Sequence, residues 1–427
     1  MTASLFDVAS PASHASPATV AALPLICTNC GTRFDPEPSA ICLDCLGPLV
    51  PEYDASRTLP DRETIARRRP SLWRYHEWLP FDGIPTLSPD SGFTPLVEAP
   101  ALARRLGVAR LWIKNDSVSH PTLSFKDRVV STAINAARAF GLDVVGCAST
   151  GNLANAVAAH AARAGLDAWI FIPHDLEPAK VFGTSVYAPN LVRVRGTYDD
   201  VNRLCAQVAD SFGWGLVNVN LRAYYGEGSK TMAFEIIEQL GWKAPTAVVA
   251  PMAGGALVTK LHRGFRDFSD AGLFDGPLPR LHGAQPEGCA PIVRLVERGG
   301  GRIEPEIPST IARSLAIGNP ADGLTAARAI TETNGWGAAV SDAELVAGIR
   351  LLAETTGIFA ETAGGVTTAA AVRLARTGHL RPDDEVVLCI TGNGLKTLDA
   401  VADALPPAPV IAPKLSAVAA LVESAAA

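Results

Sequence analysis

The run VVGCASTGNLANAVAAHAARAGLDAWIFI (Val144–Ile172) states the architecture in miniature. A short β-branched stretch, VVGCA, ends in the polar turn Ser149-Thr150-Gly151-Asn152. An Ala-rich helical stretch follows, and a second apolar strand, AWIFI, closes the unit. The alternation extends both ways, to RLWIK at 110–114 before it and to LVRVR at 191–195, GLVNV at 215–219, TAVVA at 246–250 and EVVLCI at 385–390 after it. Continuously apolar strands separated by helices predict an α/β fold, with largely parallel sheets covered on both faces. Ligands then belong at the carboxyl ends of the strands. No repeat of solenoid period interrupts the pattern.

With 427 residues the chain exceeds what one core supports, so two main domains and a small appendage are expected. Hydrophobic residues at 48% and charged residues at 19% fit a folded protein rather than a disordered one. A net charge of −6 without long runs leaves no basic stripe, which argues against nucleic acid as principal partner and leaves small anionic substrates open. No stretch approaches the roughly 18 uninterrupted apolar residues of a membrane span. The Ala/Ser/Pro-rich start lacks a basic segment followed by a strong apolar one, so a cytoplasmic protein is expected. Residues 1–22 read as disordered, and residues 411–427 as a terminal helix or frayed end.

Cys27-Thr-Asn-Cys30 and Cys42-Leu-Asp-Cys45 are two CxxC pairs separated by eleven residues. Two such knuckles complete the closed tetrahedral sulfur shell of a structural zinc, within a zinc-ribbon-like module over 23–54. A metal-free, turn-rich module and a nucleic-acid-binding ribbon are the alternatives. Arg33 is the single basic residue between 22 and 54, which disfavours the ribbon. Cys147, Cys205, Cys289 and Cys389 are scattered singly, as suits a reducing compartment.

The turns carry the chemistry. Ser124-Phe125-Lys126-Asp127-Arg128 follows His120-Pro121-Thr122 and opens the helical stretch RVVSTAINAARAF. Ser124 and Asp127 have the spacing of a capping box, which places Lys126 in the first helical turn. There the positive end of the helix dipole favours a neutral amine, the form a Schiff-base lysine needs. A lone lysine is more often a solvated surface charge, so the surrounding loops decide its reading. Ser149-Thr150-Gly151-Asn152 suits either an anion such as a carboxylate or an ordinary capped helix. Ala253-Gly254-Gly255-Ala256-Leu257 either wraps a phosphate with backbone N–H groups or makes a tight turn. It leads into a helix with Leu257, Val258, Leu261, Phe265 and Phe268 on one side. Thr391-Gly392-Asn393-Gly394-Leu395-Lys396 puts a hydroxyl at a strand end, as a ligand partner or as a plain strand exit.

Taken in order, SFKDR, ASTGN, the glycine loop, GNPADG at 318–323 and TGNGLK at 391–396 resemble the threonine synthase family of fold type II pyridoxal-phosphate (PLP) enzymes. The cysteine module, Ser71-Leu-Trp-Arg-Tyr75 and GFTPL at 92–96 share the likeness, which runs from about residue 25 to about residue 400. The resemblance implies a large PLP-binding α/β domain from 70–127 and 236–410, a small α/β domain over 128–235, and the cofactor in the cleft between them. It also implies a homodimer. By the same carry-over Lys126 holds the cofactor as a Schiff base, Phe125 packs near its ring and Asn152 hydrogen-bonds its 3′-oxygen. Residues Ala253, Gly254, Gly255, Ala256 and Leu257 bind its phosphate, and Thr391 partners the pyridine nitrogen. Ser149, Thr150 and Gly151 hold the substrate carboxylate, and Asn218, Arg222 and Lys230 are nominated for the substrate phosphate. The implied reaction turns O-phospho-L-homoserine and water into L-threonine and phosphate. A threonine or serine dehydratase, or a cysteate synthase-like β-replacement enzyme, is the alternative. Leu153, the AGGAL form of the glycine loop, the displaced Arg222 and Glu361-Thr362-Ala-Gly-Gly depart from the commoner family pattern.

Overall fold

The computed structural model describes residues 20–426. Most of the segment read as disordered, 1–19, lies outside the described residues. Residues 21 and 22 are tied down: the Ala21 N–H donates to Asp82 at 2.8 Å, and Ala22 bridges Phe81.

The N-terminal module contributes β1 (Leu25–Cys27), β2 (Arg33–Phe34) and β3 (Leu49–Pro51). Next come β4 (Leu96–Glu98) and β5 (Arg110–Asn115), then a block of four, β6 (Val144–Ala148), β7 (Asp167–Pro173), β8 (Asn190–Val194) and β9 (Gly215–Leu216). The chain ends its strands with β10 (Ala247–Pro251), β11 (Arg280–Pro286), β12 (Gly337–Val340) and β13 (Glu385–Ile390). Among the described residues they form three sheets, ordered β2-β1-β3, β12-β11-β10-β13-β5-β4 and β8-β7-β6-β9. The four-stranded sheet is all parallel, and the six-stranded sheet is parallel except for its edge strand β4. The expectation of parallel, helix-covered α/β sheets is met. Strands such as β10 are buried along their whole length, which is why they read as unbroken apolar runs.

GLVNV is a strand for two residues only, because side chains take over its ladder. Asn218 accepts from the Ala148 N–H at 3.2 Å, and Asn220 accepts from the Leu216 N–H at 2.8 Å. The amides turn the chain out of the sheet. β11 hides for the opposite reason, since polar residues interrupt it yet are buried, each paired inside at one end of its side chain. His282 accepts from the Trp336 N–H at 3.0 Å, and Gln285 accepts from Ile292 and Val293 N–H, both at 3.0 Å.

Two aromatic groups mark the interior. Phe234 and Phe268 stack at 4.2 Å, joining the helices Lys230–Gln239 and Ala256–Asp270, with Trp78 at 5.1 Å and Trp242 at 6.2 Å from Phe268. Trp169 of β7 and Trp214 beside β9 pair at 5.0 Å within the four-stranded sheet. The anticipated boundaries at 127/128 and 235/236 fall inside the helices Lys126–Ala139 and Lys230–Gln239. At the C-terminus, Leu415–Ala426 is helical.

Candidate active site

The two larger sheets meet at one end of their strands. Past β5 the chain returns through Thr122 to Ser124, which bridges Gly392 just beyond β13, and the Phe125 N–H donates to the Thr391 carbonyl at 2.8 Å. Lys126 therefore starts its helix beside the end of a central strand. Its Nζ donates to the Tyr225 hydroxyl at 3.0 Å and lies 5.5 Å from the centre of the Phe125 ring.

The expected capping box is not made. The Asp127 carboxylate instead accepts from the Thr122 N–H at 3.0 Å and its hydroxyl at 2.8 Å, with only a 3.5 Å contact to the Ser124 N–H. The Ser124 hydroxyl is buried without a partner. Thr122 outcompetes Ser124 because the preceding turn lays it across the helix start.

Arg128 fixes that start in place. Fully buried, it donates to Asp116 from Nε at 2.6 Å and Nη2 at 2.9 Å, to Thr231 at 3.0 Å and to Glu235 at 2.8 Å. Lys114, also buried, lies 2.6 Å from Glu235. Burial opposes charge on Glu235, yet Arg128 and Lys114 outweigh it and hold the carboxyl down at about 2. Burial likewise opposes charge on Arg128, and Asp116 and Glu235 keep its ionisation well above the ordinary value. These groups lock Lys126 to both β5 and the helix Lys230–Gln239.

A cavity of about 240 Å³ opens above Lys126. It brings together Phe125, Lys126, Thr391, the loop residues Ser149, Thr150 and Asn152, the run Ala253–Leu257, and Asn218 with Arg222. Gly151 is not on its wall. Its φ of +124° and its contact with buried Lys180, whose Cδ lies 2.1 Å from where a Cβ would sit, make it a structural glycine. The Ser149 hydroxyl accepts from the Gly151 N–H at 2.9 Å and the Ala154 N–H at 2.8 Å, capping the helix Asn152–Ala164. Lys230 does not reach the cavity at all. It is buried 2.7 Å from Glu227 and 3.1 Å from Asp267, and donates to the Tyr53 hydroxyl at 3.2 Å, as a buried ammonium among acids must.

Arg222 is 2.5 Å from Asp322 of GNPADG, a pair that spans the cavity mouth. Tyr225, Asp322 and Glu361 line the cavity and were not singled out from sequence as site residues, although Asp322 and Glu361 sit in stretches quoted for the resemblance or its departures. Their local sequence carries no signal of its own; only the meeting of distant loops makes them neighbours.

The glycine loop suits a phosphate. A Cβ on Gly254 would meet open space, its nearest neighbour being Ile317 Cδ1 at 4.0 Å. Gly255, at φ +91°, lies against the Asp322 carbonyl, and the Asp322 N–H donates to the Gly254 carbonyl at 2.9 Å. The loop thus lies bare at the N-terminus of the 15-residue helix Ala256–Asp270. An amine, a phosphate cradle and a hydroxyl at Thr391 surround a space of suitable size for a phosphorylated pyridine aldehyde.

The family described as pyridoxal-phosphate dependent enzyme matches residues 87–392. The chain belongs to that family. Among curated relatives, a threonine synthase of Methanocaldococcus jannaschii is 34% identical over 379 residues, covering 88% of this chain and 93% of the relative. One from Methanosarcina acetivorans is 34% identical over 382 residues, covering 89% and 93%. Solved structures share the fold at lower identity. A fungal L-serine ammonia-lyase from Rhizomucor miehei matches with a TM-score of 0.62 at 22% identity, covering 74% of this chain and 98% of that one. Maize serine racemase matches with a TM-score of 0.61 at 21% identity, covering 73% and 91%. The PLP enzyme is therefore of fold type II, as the sequence implied, and Lys126 is a lysine on the wall of its cavity.

The enzyme's four N-terminal cysteines converge. Cys27 and Cys45 sulfurs are 3.4 Å apart, Cys30 and Cys42 sulfurs 3.7 Å, and all four lie within 4.8 Å of one another. A tetrahedral zinc with Zn–S bonds of about 2.3 Å sets sulfurs about 3.8 Å apart, so the cluster fits one. The other four cysteines are buried and unpaired. Among the described residues, no helix is long and apolar enough to cross a membrane.

Proposed function

We propose that the enzyme converts O-phospho-L-homoserine and water to L-threonine and phosphate. One observation carries the reading: relatives that align over nearly nine-tenths of the chain are threonine synthases, and the family match over 87–392 includes every loop that lines the Lys126 cavity. Bound through Lys126, pyridoxal phosphate supplies an electron sink for the pair left when Cα loses a proton. The chain's own residues supply the rest. The 253–257 loop would hold the cofactor phosphate, Asn152 would hold its 3′-oxygen and Thr391 its ring nitrogen. Thr150 and the adjoining loop backbone receive the substrate carboxylate, with Ser149 shaping that loop. The freed Lys126 amine would take the Cα proton and release it before taking a Cβ proton as phosphate departs from Cγ. It would then return one proton to Cγ and, after the hydroxyl of water has added at Cβ, one to Cα. The Tyr225 hydroxyl, within hydrogen-bond reach, steadies that amine between transfers. Arg222 meets the substrate phosphate by exchanging Asp322 for it, with Asn218 alongside.

We also propose that the four cysteines hold a structural zinc, and that the enzyme is a homodimer. The two larger sheets would form the cores of the small and large domains, with the shared helices crossing between them.

A dehydratase acting on threonine or serine is the second reading, favoured by the acidic groups Asp199, Asp322 and Glu361 that face the cavity beside the single arginine, Arg222. Purified enzyme given O-phospho-L-homoserine should release threonine and phosphate in equal amounts, and Lys126→Ala should release neither. Release of 2-oxobutanoate from threonine, with phosphohomoserine untouched, would replace the first reading with the second.

A further inference from the structure

Asn152 is buried at the cavity wall with both ends of its side-chain amide engaged. Its Nδ2 donates to both carboxylate oxygens of Glu361, at 2.7 and 2.9 Å, and its Oδ1 accepts from the Lys396 ammonium at 3.1 Å. Lys396 reaches Asn155 Oδ1 as well, at 3.3 Å. An amide's oxygen and nitrogen ends have nearly the same shape, so its partners decide which way it faces. Here they leave one choice. A carboxylate can only accept and an ammonium can only donate, so the reversed amide would set donor against donor and acceptor against acceptor.

Glu361 is built for this contact. It is 1% exposed, precedes the helix Thr362–Arg376 without making a side-chain cap to it, and its backbone N–H donates to the Gly392 carbonyl at 3.0 Å. A Cβ on Gly392 would lie 2.3 Å from Glu361 Oε1, so the glycine leaves the carboxylate its place. Lys396 arrives from the same TGNGLK loop that carries Thr391.

We propose that Glu361 and Lys396 are positioning residues that fix the Asn152 amide, Glu361 holding one N–H of its Nδ2 and leaving the second for the cofactor ring, so that the loop after β13 helps set the cofactor's ring contacts from two sides. The proposal rests on the cofactor placement given above and not on the choice of substrate. The groups facing the Lys396 ammonium are Glu361, Asp127 and Lys180. Burial pushes it down to about 8 against the pull of Glu361 and Asp127, with Lys180 adding to the fall. The lock should weaken above about pH 8.

The test uses purified holoenzyme, reading the visible cofactor band against pH and the affinity for added pyridoxal phosphate in wild type, Asn152→Ala, Lys396→Met, Lys396→Arg and Glu361→Gln, with thermal melts confirming the fold. Asn152→Ala, Lys396→Met and Glu361→Gln are each expected to loosen the cofactor by about tenfold, the scale of one charge-assisted hydrogen bond. Lys396→Met should also lose the band's alkaline transition near pH 8, and Lys396→Arg should restore most of the affinity. The double variant Asn152→Ala/Lys396→Met should bind no worse than Asn152→Ala, because both act through one amide. Additive losses, or an unchanged band and affinity in both Lys396→Met and Glu361→Gln while Asn152→Ala changes them, overturn the lock. An unchanged band in Asn152→Ala overturns the cofactor placement and the lock with it. If Lys396→Met does not fold, Glu361→Gln decides alone.

Discussion

Two residues past Lys126, Arg128 does what its surface-like letter in SFKDR conceals. Its partners Asp116 and Glu235 are 12 and 107 residues away, so no local pattern distinguishes it from a solvated arginine. Removing one member of a buried ion network strands the others without water. Arg128→Met is therefore expected to lower the unfolding free energy by about 3–5 kcal/mol, measured by urea titration, with Asp116 as the stranded charge. A loss below about 1 kcal/mol would mean that water reaches Asp116. The place of Lys126 at a helix start was legible from the turn before it and the helical stretch after it. Lys230, nominated by the resemblance alone, is bound by Glu227 and Asp267, since a lone lysine in a motif-like stretch says nothing about which side of the helix it occupies.

At the scale of elements, the clearest sequence signals were runs uniform in character. β6 and β13 coincide with VVGCA and EVVLCI because every residue after the first in each is buried under a covered surface. β9 was cut short and β11 escaped notice because side-chain amides and an imidazole substitute for, or hide within, backbone pairing. The cysteine module is legible by spacing alone, and its attachment is not: the Tyr224 hydroxyl donates to the Leu23 carbonyl at 2.9 Å from a helix some 200 positions on. Elemental analysis should find one zinc per chain. Cys42→Ser, at a buried ligand position, should release it and lower the melting temperature while leaving the cofactor band in place, because the Lys126 loops are anchored to β5 and β13 rather than to β1–β3. A metal-free wild-type enzyme of unchanged melting temperature after strong chelation would refute the zinc.

The molecule as a whole stores acid sensitivity in its interior. As pH falls, an unfolded glutamate takes up its proton near 4.5, but Glu235 stays ionised down to about 2. Burial, with Arg280 beside it, keeps His282 neutral down to about 3, whereas an unfolded imidazole protonates near 6.5. In both cases the unfolded chain binds the proton first, so stability is complete above about pH 6.5 and declines progressively toward pH 2. Urea midpoints should fall between pH 7 and pH 4, and a flat profile over that range would contradict the assignment. The two aromatic groups have a further consequence. Indoles as close as Trp169 and Trp214 couple their electronic transitions and mark the four-stranded sheet in circular dichroism, whereas Trp78, seated beside Phe268, emits as a buried chromophore next to the paired helices. The enzyme thus carries two separate optical reporters, and the order in which they vanish in denaturant tells whether its halves come apart together or in turn.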